Sequence, residues 1–522
     1  MSIGQAGLSH GTESATGPYS RPDTRFRGVG PVVLRAMSER MVKRREFEAG
    51  LSPRRRELRA LTRLAAPILL TNVCWMLISV VDILMLGRWS SSAVAAALLA
   101  GVWIHLTQML GMGLVMGIDP FVTQGFGARD RETLGRALQR GIIVAVLASI
   151  PIIALRFWTA EFLEATRAFA DWISGHGGGP TVAAPTSPQN GEALESIVGT
   201  ASLDAPAEQY ALAQTFATPF FLVYIAVRQQ LQGRGILRPA LAVAAIANVV
   251  NFFANWALIY ELQLGITGAG LATGFTRLFM CVVLGAIVVR KRLLRGAWVP
   301  WDAESFRAAE ILKVIRIGVP VGLHFAFEIG AFGATTLLAG LIGVTATVAH
   351  GVAINLASMT FMIPLGIGLA ATTRIGNLIG EKRLDDAQVS SGVALWLGAI
   401  SMAVLGAVLF AGRDLLPALY VPDDAEAIRL AALILPIAAA FQIFDGIQVV
   451  GSGVLRGMGR TLPAAVFNFI AWWVIALPFA AYFVLLANGD LTHVWWSLCI
   501  GLGVVAVLTA VWVRWRGPAS LR

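Results

Sequence analysis

Three acidic residues interrupt long apolar runs of this 522-residue sequence: Asp82, Glu328 and Asp445. A fourth, Asp119, lies near the end of another such run. An ionisable group inside hydrocarbon is costly unless it is paired, neutralised or hydrated, so each is a candidate to bind an ion or carry a proton. Alternatively, these carboxylates pair with buried bases. The available bases are Arg277, His105, His324 and His350.

Another apolar run contains three asparagines, Asn248, Asn251 and Asn255. Asn251 and Asn255 are four residues apart, so their amides project from one face of a helix. Amide oxygens together with a carboxylate such as Asp82 suit a hard monovalent cation such as Na⁺. The alternative is that the two amides only form hydrogen bonds between helices.

The composition places these residues in a membrane. Hydrophobic residues make up 56% of the chain and charged residues only 14%, with a mean hydropathy of +0.70, whereas soluble domains carry about 25% charged residues. The three cysteines lie in apolar runs, which predicts buried, inert thiols. We therefore expect a polytopic membrane protein without metal or redox chemistry.

A bilayer core accommodates about 20 apolar residues as a helix, and the sequence contains twelve runs of that length. The predicted class is an all-α integral membrane protein. The approximate runs are 62–86, 93–122, 134–156, 209–228, 238–260, 269–289, 311–340, 345–374, 388–411, 429–454, 462–486 and 493–513.

The net charge of +10 is concentrated before the first run. Residues 1–60 lack the apolar segment of a signal peptide and predict a disordered, basic cytoplasmic tail. With this tail inside, most of the other Lys and Arg residues fall in cytoplasmic loops, which predicts that both termini, including 516–522, are cytoplasmic. We expect the tail to lie beside anionic lipids rather than nucleic acid, and the protein to be a monomer in a bacterial inner membrane.

One loop on the other side is unusually long, from residue 157 to 208. Its start, Glu161–Ile173, has the periodicity of a short interfacial helix. The Gly- and Pro-rich part that follows, about 176–208, predicts a flexible periplasmic insertion.

The sequence also repeats itself. Pro67 and Pro320 are 253 residues apart, as are Gly127 and Gly380, and QGRGILRP at 232–239 is matched by RGMGRTLP at 456–463. The repeat predicts two six-helix lobes, 61–292 and 293–515, in the same orientation, with a ligand cavity between them.

Several activities are disfavoured by motifs that the sequence lacks. It contains no Walker A motif, no GxGxxG after a strand and no HExxH. We therefore expect a transporter rather than an enzyme, without a cofactor, driven by a gradient of Na⁺ or H⁺.

In these features the chain resembles the multidrug and toxic compound extrusion (MATE) transporters, and within them the NorM-type bacterial branch. The resemblance covers roughly residues 60–515, without most of the 176–208 insertion. It is carried by LAAPILLTNVCWMLISVVDILMLGRW, GVPVGLHFAFEIGAF, GVAINLASMTFMIPLGIGLAATTRIGNLIGE and FQIFDGIQVVGSGVLRGMGRTLPA, in this order and spacing.

The resemblance implies a cation site at Glu328 and Asp445, where Na⁺ is one candidate, and a second site in the N-terminal lobe. The residues of that second site are Asp82, Asn251, Asn255 and Thr273. It also implies that Asp82, Asp423 and Asp424 contact cationic or amphipathic substrates, although an acidic pair at 423–424 is equally typical of a helix cap. Some relatives have a tyrosine where this chain has Phe441, which removes one potential cation ligand.

The leading hypothesis is thus a cation-coupled antiporter that exports drugs by alternating access. One alternative is a flippase for lipid-linked oligosaccharides, which requires a cavity rich in basic residues. Another is a membrane enzyme that modifies lipids, which requires clustered acids or metal ligands at the membrane surface.

Overall fold

The computed structural model describes residues 50, 52–176, 201–422 and 424–522. Within these residues, twelve helices are long and apolar enough to cross a membrane, and no strand is present. We number them spans 1 to 12. Their bounds are Pro53–Trp89, Ser91–Gly127, Arg131–Arg156, Asp204–Gly233, Arg238–Glu261, Gly265–Arg290, Ala308–Ile342, Val344–Gly380, Leu384–Ala411, Ala425–Gly457, Leu462–Leu486 and Leu491–Arg516.

The twelve predicted runs are confirmed, and the helices extend beyond many of them. Spans 2 and 8 continue to Gly127 and Gly380, past the predicted ends at 122 and 374, because a helix continues into the polar interface when its backbone bonds are satisfied. Span 2 is interrupted at Gly117–Ile118 and restarts at Asp119. This break positions the Asp119 carboxylate.

The predicted interfacial helix is present as Thr159–His176. Its Arg167 forms an ion pair with Asp204 at the start of span 4. Residues 201–208 of the predicted insertion form a 3₁₀ turn and the first residues of span 4. The rest of the insertion, 177–200, and residues 1–49 of the predicted tail lie outside the described residues.

Contacts divide the chain after Arg56, and Glu57–Arg522 forms one compact unit that contains both predicted lobes. The connection between the lobes is held by Asp302, which receives hydrogen bonds of 2.8 and 3.1 Å from Arg136 in span 3. These bonds to the guanidinium lower the pKa of Asp302 to about 2. The connection is therefore fixed to the N-terminal lobe.

The internal repeat is visible as reciprocal contacts between the lobes. A Cβ added to Gly127 would lie 2.0 Å from the carbonyl oxygen of Asn377, and one added to Gly380 would lie 2.0 Å from that of Gln124. The Gln124 amide donates to the Gly457 carbonyl at 3.0 Å. In the amide orientation that its neighbours favour, Asn377 donates to the Gly233 carbonyl at 3.1 Å. Each contact is the repeat-equivalent of the other, as expected for lobes related by a pseudo-two-fold axis.

These contacts lie at the predicted cytoplasmic side. At this side the Arg374 guanidinium of span 8 also holds the fully buried Glu57 carboxylate of span 1 through two hydrogen bonds of 2.7 Å. Towards the other side of spans 2 and 8, a Cβ added to Gly101 or Gly351 would meet nothing within 4 Å. The lobes are thus packed backbone to backbone at the predicted cytoplasmic side.

Candidate functional site

Asp82 lies inside the N-terminal lobe, 3% exposed. Its Oδ1 accepts hydrogen bonds from the amides of Asn251 at 3.0 Å and Asn255 at 2.6 Å. Its Oδ2 accepts one from the Thr273 hydroxyl at 2.5 Å. The structure therefore brings together the four residues that the sequence assigns to the N-terminal site, from spans 1, 5 and 6.

The asparagines point their nitrogen atoms, not their oxygen atoms, at Asp82. Both amide oxygens are buried and have no hydrogen-bond partner in the part of the chain that the structure describes. All three donors to the carboxylate are neutral groups. A cation at this site would require the two amides to turn, and their free oxygens would then become its ligands.

Glu328 lies inside the C-terminal lobe, in span 7, and is 7% exposed. The Gln448 amide of span 10 donates to its Oε2 at 3.2 Å and to the Asn468 Oδ1 at 3.3 Å. The Asn468 amide contacts the His324 ring at 2.7 Å, and the Trp472 indole donates to the Asn468 oxygen at 3.0 Å. Glu328 thus belongs to a buried polar network that links spans 7, 10 and 11.

Asp445 in span 10 is 4% exposed and lies three residues before Gln448, the residue that donates a hydrogen bond to Glu328. No described residue donates a hydrogen bond to it or forms an ion pair with it. Two carboxylates in low dielectric are unfavourable when both are ionised. This pair is therefore suited to retain a proton or a cation.

A pocket extends from Glu328 and His324 to Ser452 and Arg456. The Ser452 hydroxyl is buried and has no partner among the described residues. The pocket extends from Glu328 towards the end of span 10 at which Arg456 lies.

The alternative that the acidic residues pair with buried bases holds for Asp119. Its Oδ2 lies 3.3 Å from the Arg456 Nε, and the Gln229 amide donates to both of its oxygens at 2.9 and 3.1 Å. Asp82 has no ion pair within 4 Å among the described residues. Glu328 has only the His324 ring, at 3.8 Å.

The predicted substrate acids differ in position. Asp424 is the N-cap of span 10, and its side chain accepts a hydrogen bond from the Ala427 N–H at 2.8 Å. Asp423 lies outside the described residues. Phe441 is 3% exposed and packs its ring against Phe332 and Trp495, so this position supplies packing and no oxygen.

Sequence reasoning missed Gln448, Asn468 and Gln229. All three are polar residues at most 2% exposed, and a polar side chain within an apolar run was the available signal. Both Asn255 and Asn468 also lie just before π-helical segments, Trp256–Glu261 and Ile470–Ala476. Such segments are frequent at functional sites. No group of three or more His, Cys, Asp or Glu residues that could hold a metal ion occurs in the described part of the chain.

Comparison with known proteins gives a consistent result. The MatE family matches residues 67–165 and 320–482. The chain is 30% identical over 476 residues to the multidrug resistance protein NorM of Vibrio vulnificus, covering 88% of this chain and 96% of that protein. It is 29% identical to the multidrug and toxin extrusion protein 2 of Mus musculus, covering 91% and 78%.

The same fold is found in the crystal structure of the eukaryotic MATE transporter AtDTX14. The TM-score is 0.78 at 20% sequence identity, covering 90% of this chain and 98% of that one. The family and fold class that the sequence predicts are confirmed.

Proposed function

The chain belongs to the MatE family, the multidrug and toxic compound extrusion transporters, and from this membership we propose that it exports cationic or amphipathic compounds in exchange for Na⁺ or H⁺. It is a multi-pass membrane transporter and not an enzyme. The observation that carries the coupling is that Asp82, Glu328 and Asp445 are buried without a strong basic partner among the described residues, whereas Asp119 has one. Unpaired carboxylates can exchange their proton or cation during a transport cycle.

The packing of the lobes supports alternating access. Because the packed side is the predicted cytoplasmic side, we propose that this arrangement belongs to a state that opens outward. In this state an external cation reaches the carboxylates and competes there with the exported compound. Rocking of the lobes would break the contacts around Gly127 and Gly380 and open the opposite side. We place the protein in a bacterial inner membrane, as a monomer with cytoplasmic termini.

The test is ethidium efflux from vesicles that contain the purified protein, driven first by a Na⁺ gradient alone and then by a pH gradient alone. We expect one of the two gradients to accelerate efflux. Efflux that is indifferent to both gradients would refute cation coupling.

A prediction for the N-terminal site concerns Asn255→Ala. A hydrogen bond between membrane helices contributes only about 0.6 kcal/mol on average, so a purely structural asparagine can be lost at small cost. If Asn255 helps to hold the coupling cation or the ionised form of Asp82, the cation concentration for half-maximal efflux shifts by about tenfold. The Asn248→Ala variant is the matched control, because among the described residues the Asn248 amide donates only to backbone carbonyls, those of Cys74 and Ala244. If both variants have the same cation concentration for half-maximal efflux, Asn255 contributes only to helix packing.

A further inference from the structure

One buried ion pair joins the two lobes beside the pocket that contains Glu328. Asp119 lies in span 2 and Arg456 in span 10, 3% and 7% exposed, and the Asp119 Oδ2 lies 3.3 Å from the Arg456 Nε. Each residue is also held by a neutral partner from its own lobe. The Gln229 amide donates to Asp119, and Arg456 donates to the Thr372 hydroxyl at 3.4 Å. The ion pair can therefore break while both side chains keep a hydrogen bond.

A polar stripe on span 10 links this ion pair to Glu328. Gln448, Ser452 and Arg456 follow one another at intervals of four residues, so their side chains lie along one face of the helix. Gln448 donates to the Glu328 carboxylate at 3.2 Å. Arg456 is eight residues further on, about 12 Å along the helix axis. Glu328, Ser452 and Arg456 all line the same pocket, so the guanidinium charge acts on the acidic site through this pocket.

The internal repeat shows that this arrangement differs between the lobes. With the offsets of the repeat, Arg456 corresponds to Gln232 and Asp119 corresponds to Thr372, so neither charge recurs in the other half. Gln232 lines the equivalent pocket of the N-terminal lobe. Arg228 in that pocket donates a hydrogen bond within its own lobe. The arginine that is paired with an acid of the opposite lobe thus lies beside the pocket that contains Glu328.

We propose that Arg456 sets the affinity of Glu328 and Asp445 for the coupling cation according to the arrangement of the lobes. While the lobes are packed at the predicted cytoplasmic side, Asp119 balances the guanidinium charge, and the two acids hold their cation. When rocking separates span 2 from span 10, Arg456 loses this counter-ion. Its positive charge then weakens cation binding, and the cation leaves towards the cytoplasm. This inference rests on the proposed function and adds the step that couples cation release to lobe movement.

The test measures how readily Na⁺ or H⁺ displaces ethidium from the purified protein in lipid nanodiscs. Ethidium fluorescence anisotropy is followed at a dye concentration well below its Kd, so the cation concentration that displaces half of the dye, the midpoint, reports the affinity for the cation itself. NaCl is titrated at fixed pH, and acid is titrated separately without Na⁺. The groups near the pocket that acid can titrate are His324, Glu328, Asp445 and Asp119, and Arg456 is the fixed charge.

Asp119→Asn leaves the Arg456 charge unbalanced in the packed state. We expect it to raise the midpoint by about tenfold, the effect of one charge at about 12 Å in an effective dielectric of about 20. Arg456→Gln removes the charge and should not raise the midpoint. The double variant should have the same midpoint as Arg456→Gln. Its recovery would show that the unbalanced charge, and not misfolding, causes the shift in Asp119→Asn.

Glu57→Gln and Arg374→Gln are the matched controls, because they break another ion pair between the lobes whose residues do not line the pocket. They act only through the balance between the two states, so both should shift the midpoint in the same direction.

The inference is overturned if Asp119→Asn and Arg456→Gln also shift the midpoint equally and in the same direction, as a purely structural ion pair would. It is likewise overturned if the double variant keeps the midpoint of Asp119→Asn, or if all variants have the wild-type midpoint. In each of these cases displacement of ethidium from the wild type still supports cation exchange. Absence of displacement from the wild type by either cation would contradict the proposed function and this inference together.

Discussion

Glu328→Gln and Asp445→Asn are each expected to abolish gradient-driven ethidium efflux. Both replacements keep the size of the side chain and remove its ability to carry a proton or hold a cation. Because Glu328 and Asp445 are buried and have no strong basic partner among the described residues, neutralisation removes an unfavourable buried charge and breaks no salt bridge. The variants should therefore insert normally and unfold at a temperature at least as high as the wild type.

Asp414→Asn is the matched control, because its carboxylate is 82% exposed and its neutralisation should leave efflux unchanged. Efflux is measured in cells and in proteoliposomes containing equal amounts of protein. Resistance and efflux at the wild-type level in both buried-site variants would refute a role for this pair in coupling. A large loss of thermal stability would instead indicate a structural ion pair.

Gly380→Ala is expected to prevent the lobes from closing at the predicted cytoplasmic side. The new Cβ would lie 2.0 Å from the Gln124 carbonyl oxygen, and a backbone atom at this distance must move. Overpacking of this kind costs about 1–3 kcal/mol, which corresponds to a shift of roughly 5- to 150-fold in the balance between the two states. Efflux should fall because the outward-open state is disfavoured.

The measurement is the rate at which a membrane-impermeant maleimide, applied from the predicted cytoplasmic side, labels Thr123→Cys in a protein whose three native cysteines are replaced by alanine. Thr123 is 2% exposed and contacts Gly376 of span 8. We expect labelling to be about tenfold faster in Gly380→Ala. In Gly351→Ala, on the same helix, the new Cβ meets nothing within 4 Å, and labelling should stay slow. Equal labelling of the two variants would contradict closure at this side.

Hydropathy alone predicts the twelve spans, because the length of an apolar run is set by the bilayer. The internal repeat predicts in addition that the chain forms two equivalent lobes, as the reciprocal contacts of Gly127 and Gly380 illustrate. The carboxylates were predictable one by one, since a charge in an apolar run is conspicuous. The spacing of Asn251 and Asn255 also identified the helix face that meets Asp82.

The partners of these residues were less predictable. Local periodicity shows that Asp119 needs a partner, but only the tertiary fold selects Arg456, which is 337 positions away in the sequence. The same holds for the Gln448 and Asn468 amides at Glu328, which come from two other helices. The orientation of the Asn251 and Asn255 amides likewise depends on Asp82 and has no signature in the sequence.

The central claim is that the exported compound is exchanged for a cation. The most direct test is to measure the cation flux that accompanies movement of the compound. Proteoliposomes containing the wild-type protein are given an ethidium gradient and no ion gradient, and internal pH and Na⁺ are followed with fluorescent indicators. We predict that ethidium movement drives H⁺ or Na⁺ in the opposite direction, and that this cation flux disappears in Glu328→Gln. Ethidium movement through the wild-type protein without any opposing cation flux would contradict the account.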